Sequence, residues 1–256
     1  MLIKANHLEL TYEVRKLGPD RSWFKHLLKP VFERHTVLNE LMLEVKEPGI
    51  TAILGRNGAG KTTLIKVLSG ILTPTKGEVT VLGYTPSKRS PQLLRQIGAV
   101  FGQKKMLWPE LSLRENFAIT AAVYSLSQKE TKARIHYLIE KFNLESFLDR
   151  PVKTLSLGES MKAELAGIFL FKPRILFLDE PTIGLDVAAQ VALRENIKQY
   201  IKDNECHILL TSHNMRDISS LANKTLIMEK GKLTEFNVET CCTSIEEQLE
   251  QRLTSL

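Results

Sequence analysis

The chain has 256 residues, and its hydrophobic share of 43% and charged share of 25% are ordinary for a globular protein that buries a sizeable core. No apolar run approaches the roughly 18 residues that span a bilayer, and the first residues lack the apolar core of a signal peptide, so we expect the protein to stay on the cytoplasmic side of the membrane. Three cysteines without metal-ligand spacing exclude a disulfide framework, and a net charge of +6 permits contact with nucleic acid or anionic lipid without requiring it.

The N-terminal stretch predicts a strand over residues 7–14, with Tyr12 near its end. An aromatic side chain there can stack on an adenine ring or simply occupy an edge strand. Residues 15–35 then change character, because Ser22 can cap a short helix that ends before Pro30. This helix has one apolar and one basic face; it can lie on a membrane or a partner, but we favour folding back onto its own domain.

Residues 55–62 match the phosphate-loop pattern G-x-x-x-x-G-K-[ST] without a gap or a substitution. They lie between a predicted buried strand at 50–54 and a helix that begins near Lys61. Glycines permit the crowded backbone in which amide N–H groups surround a phosphate, and the helix adds the positive end of its dipole. Lys61 brings a positive charge to the β- and γ-phosphates, and the Thr62 hydroxyl can bind Mg²⁺. The stretch predicts a nucleotide site.

The middle of the chain predicts strands at 37–45, 78–82 and 97–101, the last of which ends at Gly102-Gln103. The capping box Ser112-Leu113-Arg114-Glu115 then begins a region of helical spacing that continues to about residue 148. The region closes with Leu155-Ser156-Leu157-Gly158-Glu159 and a further helix over 160–171. We therefore expect a helical subdomain at about 105–172, inserted into a domain that covers residues 1–240.

Four consecutive apolar residues at 175–178 are typical of a central parallel strand, which is buried on both faces. Asp179 and Glu180 follow it, at the sheet edge where open α/β sheets bind ligands. Because consecutive strand residues point to opposite sides, we expect Asp179 to hold Mg²⁺ and Glu180 to act as general base toward the γ-phosphate. Burial of unpaired carboxylates is costly, which favours a functional interpretation over a structural one.

The remaining chain predicts a helix from about 184–186 to 202 and a strand at 207–211 that delivers His213 to the same edge. Short strands at 225–229 and 232–236 follow, and residues 241–256 predict a C-terminal helical tail. Taken singly, Gln103 and His213 are ordinary hydrogen-bonding residues. Beside a phosphate loop they are candidates for sensing the γ-phosphate and Mg²⁺.

The ordered motifs at 55–62, Gln103, 155–159, 175–180, 184–186 and His213 resemble those of ATP-binding cassette (ABC) ATPases over roughly residues 1–236. The resemblance implies an α/β phosphate-loop NTPase with a mostly parallel core sheet, an N-terminal antiparallel β portion and an inserted helical subdomain. It implies ATP and Mg²⁺ as ligands, with Mg²⁺ held by Thr62, Gln103 and Asp179. The residues that it assigns to catalysis are Lys61, Gln103, Glu180 and His213. Those that it assigns to ATP are Tyr12, Gly55, Arg56, Asn57, Gly58, Ala59, Gly60, Lys61, Thr62, Thr63, Ser156, Gly158 and Asp186.

The resemblance also implies partners. Two ATPase subunits, expected to be identical, would face head to tail and enclose two ATP molecules, each covered by Ser156 and Gly158 of the other subunit. The pair would drive a separate transmembrane permease at the cytoplasmic face of the membrane, and the long spacer after Tyr12 is similar to that of bacterial exporters. The resemblance further implies that the region between Gln103 and about Glu115 transmits closure to the membrane partner. Lys104, Lys105 and Trp108 in that region would face the permease or lipid headgroups, or are plain surface residues; no nucleic-acid partner is expected.

Two positions depart from the family's usual signature, L-S-G-G-Q. Leu157 replaces the first glycine and removes backbone freedom, and Glu159 replaces the glutamine and places a negative charge near phosphates. We expect hydrolysis to survive with a weaker closed dimer.

Two alternatives stay open. The first is a soluble family member in cofactor assembly or nucleic-acid handling, which the lack of a second cassette and of a concentrated basic stripe disfavours. The second is a module that binds ATP without hydrolysing it, which the presence of Lys61, Asp179, Glu180 and His213 disfavours. The transported substrate is not encoded in this chain.

Overall fold

The computed structural model describes residues 1–15, 32–102 and 105–236. The short helix predicted after Ser22, the two residues Gln103 and Lys104, and the helical tail predicted at 241–256 all lie outside the described residues.

The described residues alternate between strands and helices, as the α/β prediction requires. The strands are β1 (Ile3–Arg15), β2 (Phe32–Val45), β3 (Gly49–Leu54), β4 (Lys76–Val81), β5 (Ile97–Phe101), β6 (Ile175–Asp179), β7 (His207–Ser212), β8 (Lys224–Glu229) and β9 (Lys232–Phe236). The α-helices are α1 (Lys61–Leu68), α2 (Pro91–Leu94), α3 (Leu113–Val123), α4 (Gln128–Phe142), α5 (Leu157–Phe169), α6 (Val187–Asp203) and α7 (Met215–Leu221). None of these helices is long and apolar enough to cross a membrane.

The larger sheet has the strand order β5-β6-β7-β3-β8-β9. Its strands pair in parallel as far as β8, and β9 is antiparallel to β8. Every residue of β6 and β7 is buried, as the apolar run at 175–178 predicts for a central strand. Because parallel strands end at a common edge, the segments that follow β3, β5, β6 and β7 meet there.

The smaller sheet is antiparallel, with the order β2-β1-β4, and confirms the predicted N-terminal β portion. The predicted start of β2 at residue 37 is wrong, because Phe32 already pairs with Arg15 at the far end of β1. Apolar side chains of this sheet, of α1 and of the larger sheet form one core, for example Leu41, Ile65 and Phe177. Helix α1, which follows the phosphate loop, therefore shares a core with both sheets.

The helical insertion lies between β5 and β6 in the chain and packs on the larger sheet through a second core. Phe117, Phe142 and Phe169 belong to this core together with Leu176 of β6 and Leu210 of β7. The predicted start of the last inserted helix at residue 160 is wrong by three positions. It begins at Leu157, because the residues on either side of that position form a capping box.

His207, at the start of β7, gives the fold a defined response to pH. Its side chain is 2% exposed, and its Nδ1 atom lies 3.1 Å from the carbonyl oxygen of Glu47. Burial lowers the pKa of His207 to about 4, although the hydrogen bond to Glu47 opposes this effect.

We expect the free energy of unfolding to fall as the pH is lowered from about 6.5 toward 4. In this range the unfolded chain binds a proton at His207, whereas the folded chain does not. Between pH 7 and pH 5 this site accounts for about 2 kcal/mol of lost stability. Urea unfolding at both pH values, on the wild type and on His207→Gln, measures it. The other titrating groups are common to both proteins, so an equal loss in the two would contradict the prediction.

Candidate functional site

The phosphate loop is the turn that joins β3 to α1. Gly58 and Gly60 have φ values of 83° and 109°, which lie in the left-handed region that favours glycine. At Gly60 a Cβ atom would lie 2.9 Å from the carbonyl oxygen of Val37, so space as well as conformation requires glycine. Gly60 caps α1 without a side-chain hydrogen bond, which leaves the first N–H groups of the helix available to an anion.

Lys61 folds back into this loop. Its side chain is only 6% exposed, and its Nζ donates to the carbonyl oxygens of Gly55 at 2.6 Å and of Arg56 at 3.3 Å. The same Nζ lies 3.3 Å from Oε1 of Glu180. One buried ammonium group therefore connects the loop to the predicted general base.

A cavity of about 550 Å³ opens above the loop. Most of the predicted phosphate-binding and strand-end residues line it: Asn57, Gly58, Ala59, Gly60, Lys61, Thr62, Thr63, Asp179 and Glu180. Five further residues line the cavity outside the predicted set of site residues: Val37, Lys66, Phe101, Gly102 and Ile183. The predicted meeting of the phosphate loop with the two carboxylates is present.

Asp179 and Glu180 reach the cavity by different routes. Asp179 is the last residue of β6 and is buried, and its Oδ1 accepts a 2.6 Å hydrogen bond from the hydroxyl of Thr211. Glu180 has a φ of 52°, so the chain leaves the strand there and the expected alternation of strand side chains does not apply. Its N–H donates to the Thr211 carbonyl at 3.0 Å. Thr211, opposite Asp179 in the sheet, therefore positions both acids.

Glu180 also contacts His213, as the common sheet edge predicts. Oε2 of Glu180 lies 2.7 Å from Nδ1 of His213 and 3.3 Å from its backbone nitrogen. Glu180 is 16% exposed and His213 is 52% exposed. Since Oε1 faces Lys61, the two carboxylate oxygens are divided between an ammonium group and an imidazole.

A buried ion pair supports these loops from behind. The carboxylate of Asp217 is fully buried and accepts hydrogen bonds from Thr182 Oγ1 at 2.5 Å and Ser212 Oγ at 2.8 Å. Its other oxygen lies 2.7 Å from Nη1 of Arg194. Thr182 follows Glu180 by two residues, and Ser212 precedes His213, so Asp217 joins the two segments that carry these side chains. No local sequence pattern predicts this network.

The donor set of the cavity suits Mg²⁺. Thr62, which carries a hydroxyl, and Asp179, which carries a carboxylate, both line it, and hard divalent cations prefer oxygen ligands. Gln103, the third predicted ligand, lies outside the described residues. Residues 1–15, 32–102 and 105–236 contain no group of three or more His, Cys, Asp or Glu that could hold a metal. Few protein ligands are expected for a cation that keeps water and phosphate oxygens as its other ligands.

The signature segment begins α5. Ser156 and Glu159 cap the helix reciprocally, with Ser156 N–H donating to Glu159 Oε2 at 2.8 Å and Glu159 N–H donating to Ser156 Oγ at 3.2 Å. Oε1 of Glu159 lies 3.5 Å from Arg150. The hydrogen bond from the Ser156 backbone lowers the pKa of Glu159. The carboxylate of Glu159, which stands in place of the usual glutamine, is therefore hydrogen-bonded within its own helix. Leu157 is 46% exposed.

Six of the predicted ATP-contacting residues are not among the described residues that line this cavity: Tyr12, Gly55, Arg56, Ser156, Gly158 and Asp186. Tyr12 is 38% exposed on β1, opposite His35. Asp186 is the N-cap of α6, and its Oδ1 accepts a 2.8 Å hydrogen bond from the Ala189 N–H. The predicted start of that helix at 184–186 is therefore slightly early.

Comparison with known proteins gives a consistent result. The sequence profile of the ABC transporter family matches residues 38–183. The ABC transporter ATP-binding protein NatA of Bacillus subtilis is 31% identical over 196 residues, which cover 77% of this chain and 79% of NatA. The Nod factor export ATP-binding protein I of Cupriavidus metallidurans is 33% identical over 80% of this chain and 67% of that protein.

The fold agrees with the sequence match. A solved ATP-binding subunit of an ABC transporter superposes with a TM-score of 0.79 at 25% identity, and the alignment covers 99% of this chain and 100% of that one. The phosphate loop, the acids at the end of β6 and His213 stand in the order and at the sheet edge expected of that family. This chain belongs to the ABC transporter family, as one of its ATP-binding, ATP-hydrolysing subunits.

Proposed function

We propose that two copies of this chain close around two ATP molecules and drive a separate membrane permease, most naturally an exporter, from the cytoplasmic face of the membrane. The observation that carries the catalytic part is the contact of Glu180 with both Lys61 and His213 at the phosphate-loop cavity. We also propose that residues 1–240 form one ATPase domain, with residues 105–172 as its helical subdomain and residues 241–256 as a tail.

Each side chain has a distinct role in this proposal. The loop N–H groups and Lys61 hold the β- and γ-phosphates, while Thr62 and Asp179 hold Mg²⁺, which when bound neutralises phosphate charge. A carboxylate can only accept, so His213 Nδ1–H donates to Glu180 Oε2 and fixes the orientation of the acid. When ATP binds, Lys61 exchanges its contact with Oε1 for the phosphates, and Oε1 then accepts the proton of the attacking water. Gln103, Thr63 and Tyr12 add γ-phosphate, phosphate and adenine contacts, respectively.

We expect Glu180→Gln to lower kcat by roughly 10² to 10⁴, because the amide oxygen cannot take the water's proton. ATP affinity is retained, since the loop glycines and Lys61 are unchanged. Phosphate release and binding of a fluorescent ATP analogue measure the two quantities. Glu195→Gln, on the exposed face of α6 beside Lys198, serves as the control. Undiminished turnover in Glu180→Gln would remove Glu180 as the base.

The second copy is needed because the signature lies outside the cavity of its own chain. Ser156 and Gly158 begin α5, whose first N–H groups suit the phosphates of an ATP bound to another subunit. Ile183 lines the cavity, and the exposed residues Leu157 and Val187 lie at the starts of α5 and α6. In this proposal Asp186 communicates between the two sites. A symmetric pair is the simplest arrangement in which each phosphate loop meets the signature segment of the other subunit.

We expect the double change Leu157→Gly, Glu159→Gln to tighten the ATP-bound dimer while turnover persists. Glycine restores backbone freedom, and glutamine removes a charge but still completes the capping box. Light scattering across ATP concentrations measures the fraction of dimer. It is applied to the Glu180→Gln protein with the natural signature and with the doubly changed one. Identical dimer affinity would mean that these departures are neutral.

The permease contact is proposed from an apolar groove of about 710 Å³ between β5 and the helical insertion. Leu94, Met106 and Val123 are among its apolar lining residues, and Arg89, Arg95 and Lys105 are its charged ones. The direction of transport is proposed from the resemblance to exporters, since the matching relatives include proteins named for export and for import.

We expect the Glu180→Gln protein, pulled down from detergent-solubilised cells with ATP and Mg²⁺, to bring with it a multispanning membrane protein in an amount comparable to its own. Adding Val123→Arg, a change at a groove residue that is 66% exposed, should reduce this recovery without changing ATP binding. Quantitative mass spectrometry measures both. A soluble complex, a nucleic acid, or a stable ATP dimer without any partner would instead favour a family member that works without a permease.

A further inference from the structure

The chain between β5 and α3 has no regular structure where it is described, yet buried side chains hold its backbone. Glu164 Oε1 accepts hydrogen bonds from the N–H groups of Met106 at 2.8 Å and Leu107 at 3.2 Å. The next N–H, that of Trp108, donates to Asn116 Oδ1 at 2.7 Å, and Asn116 Nδ2 donates back to the Trp108 carbonyl at 3.1 Å. We call residues 106–108 the anchored segment.

Glu164 is an unusual group to find in this place. It lies in the middle of α5, is 4% exposed, and its Oε2 is buried without a hydrogen-bond partner in the part of the chain that the structure describes. Burial raises the pKa of Glu164, while the hydrogen bonds from Leu107 and Met106 oppose the rise. An apolar residue would avoid the desolvation cost of a carboxylate. What an apolar residue lacks is the oxygen that accepts both N–H groups.

The other end of this connection is fixed to a different element. The N–H of Gly102 donates to the carbonyl oxygen of Asp179 at 2.9 Å. A Cβ at Gly102 would lie 2.5 Å from the Glu180 carbonyl oxygen, so the two backbones are in close contact. Gly102 is thus held to the strand that carries the catalytic acids, and Met106 to the helix that carries the signature. A displacement of α5 relative to β6 must change the separation of Gly102 and Met106.

We propose that Glu164 is a positioning residue that fixes the anchored segment to the signature helix, so that movement of α5 on ATP closure is imposed on the chain leading from the ATP cavity. Met106 lines the apolar groove and is 53% exposed, and Trp108 is 62% exposed. The movement therefore reaches the surface proposed for the permease. This inference rests on the proposed function, because closure over ATP supplies the displacement.

Amide hydrogen exchange tests the attachment directly. Glu164→Met keeps the length of the side chain and removes the acceptor, and Glu164→Gln keeps an acceptor oxygen without the charge. We expect exchange at Met106 and Leu107 to be about tenfold faster or more in Glu164→Met, and close to the parent in Glu164→Gln. Glu130→Ala, which removes a capping box at the start of α4, is the matched control and leaves these two amides unchanged.

Turnover gives the functional readout. We expect Glu164→Met to lower kcat about tenfold with the KM for ATP unchanged, since its phosphate loop is intact, and Glu164→Gln to recover kcat to within about twofold. In the Glu180→Gln background, ATP should alter exchange at Met106 and Leu107 in the parent but not with Glu164→Met. Glu164→Ala is a second acceptor-free variant if the methionine variant does not fold.

Two results would overturn the inference. One is exchange at Met106 and Leu107 in an acceptor-free variant that equals the parent; the other is a glutamine variant that fails as the methionine variant does. Failure of the proposed function looks different: ATP would then neither produce a dimer of the Glu180→Gln protein nor alter exchange at Met106 and Leu107 in it. If the parent is active and Glu164→Met matches it in exchange and kcat, only the role of Glu164 is disproved.

Discussion

The parallel pairing of β3, β6 and β7 is the constraint on which the candidate site depends. In this register Asp179 lies opposite Thr211, and the last residue of β3 lies opposite Ser212, so the phosphate loop, the two acids and His213 all begin at one edge. A slip of one residue in β6 would turn Asp179 to the other face of the sheet and separate it from the Thr211 hydroxyl. Packing of both faces against apolar cores prevents such a slip.

Backbone strain at Glu180, the proposed general base, is tolerated because hydrogen bonds hold the surrounding loops. Glu180 adopts a left-handed conformation, which is unfavourable for a residue with a side chain. Its N–H is fixed by both the carbonyl and the hydroxyl of Thr211. Two residues later Thr182 is fixed by the buried carboxylate of Asp217, whose charge is balanced by Arg194. Hydrogen bonds therefore flank the strained residue on both sides.

Local sequence patterns predict the site residues well where those residues are neighbours in the chain. The phosphate loop needs glycines at Gly58 and Gly60, and an apolar run before Asp179 identifies a buried strand without knowledge of the sheet. Long-range contacts leave no such local signal. Thr211 matters only because of its register with β6, and Asp217 joins elements whose proximity no local pattern reveals. The start of α5 at Leu157 does have a local signal, since Ser156 and Glu159 have capping-box spacing.

That capping box has a consequence for the energetics of association. A helix whose first turn is disordered loses conformational entropy when a ligand orders it, and this loss subtracts from affinity. Here Ser156, Glu159 and Arg150 fix the first turn of α5 within a single subunit. In the proposed dimer, the surface that α5 offers to the second subunit is therefore ordered before nucleotide binds. The capping box therefore limits the entropy that the first turn of α5 would lose on association, and with it the affinity that this loss would remove.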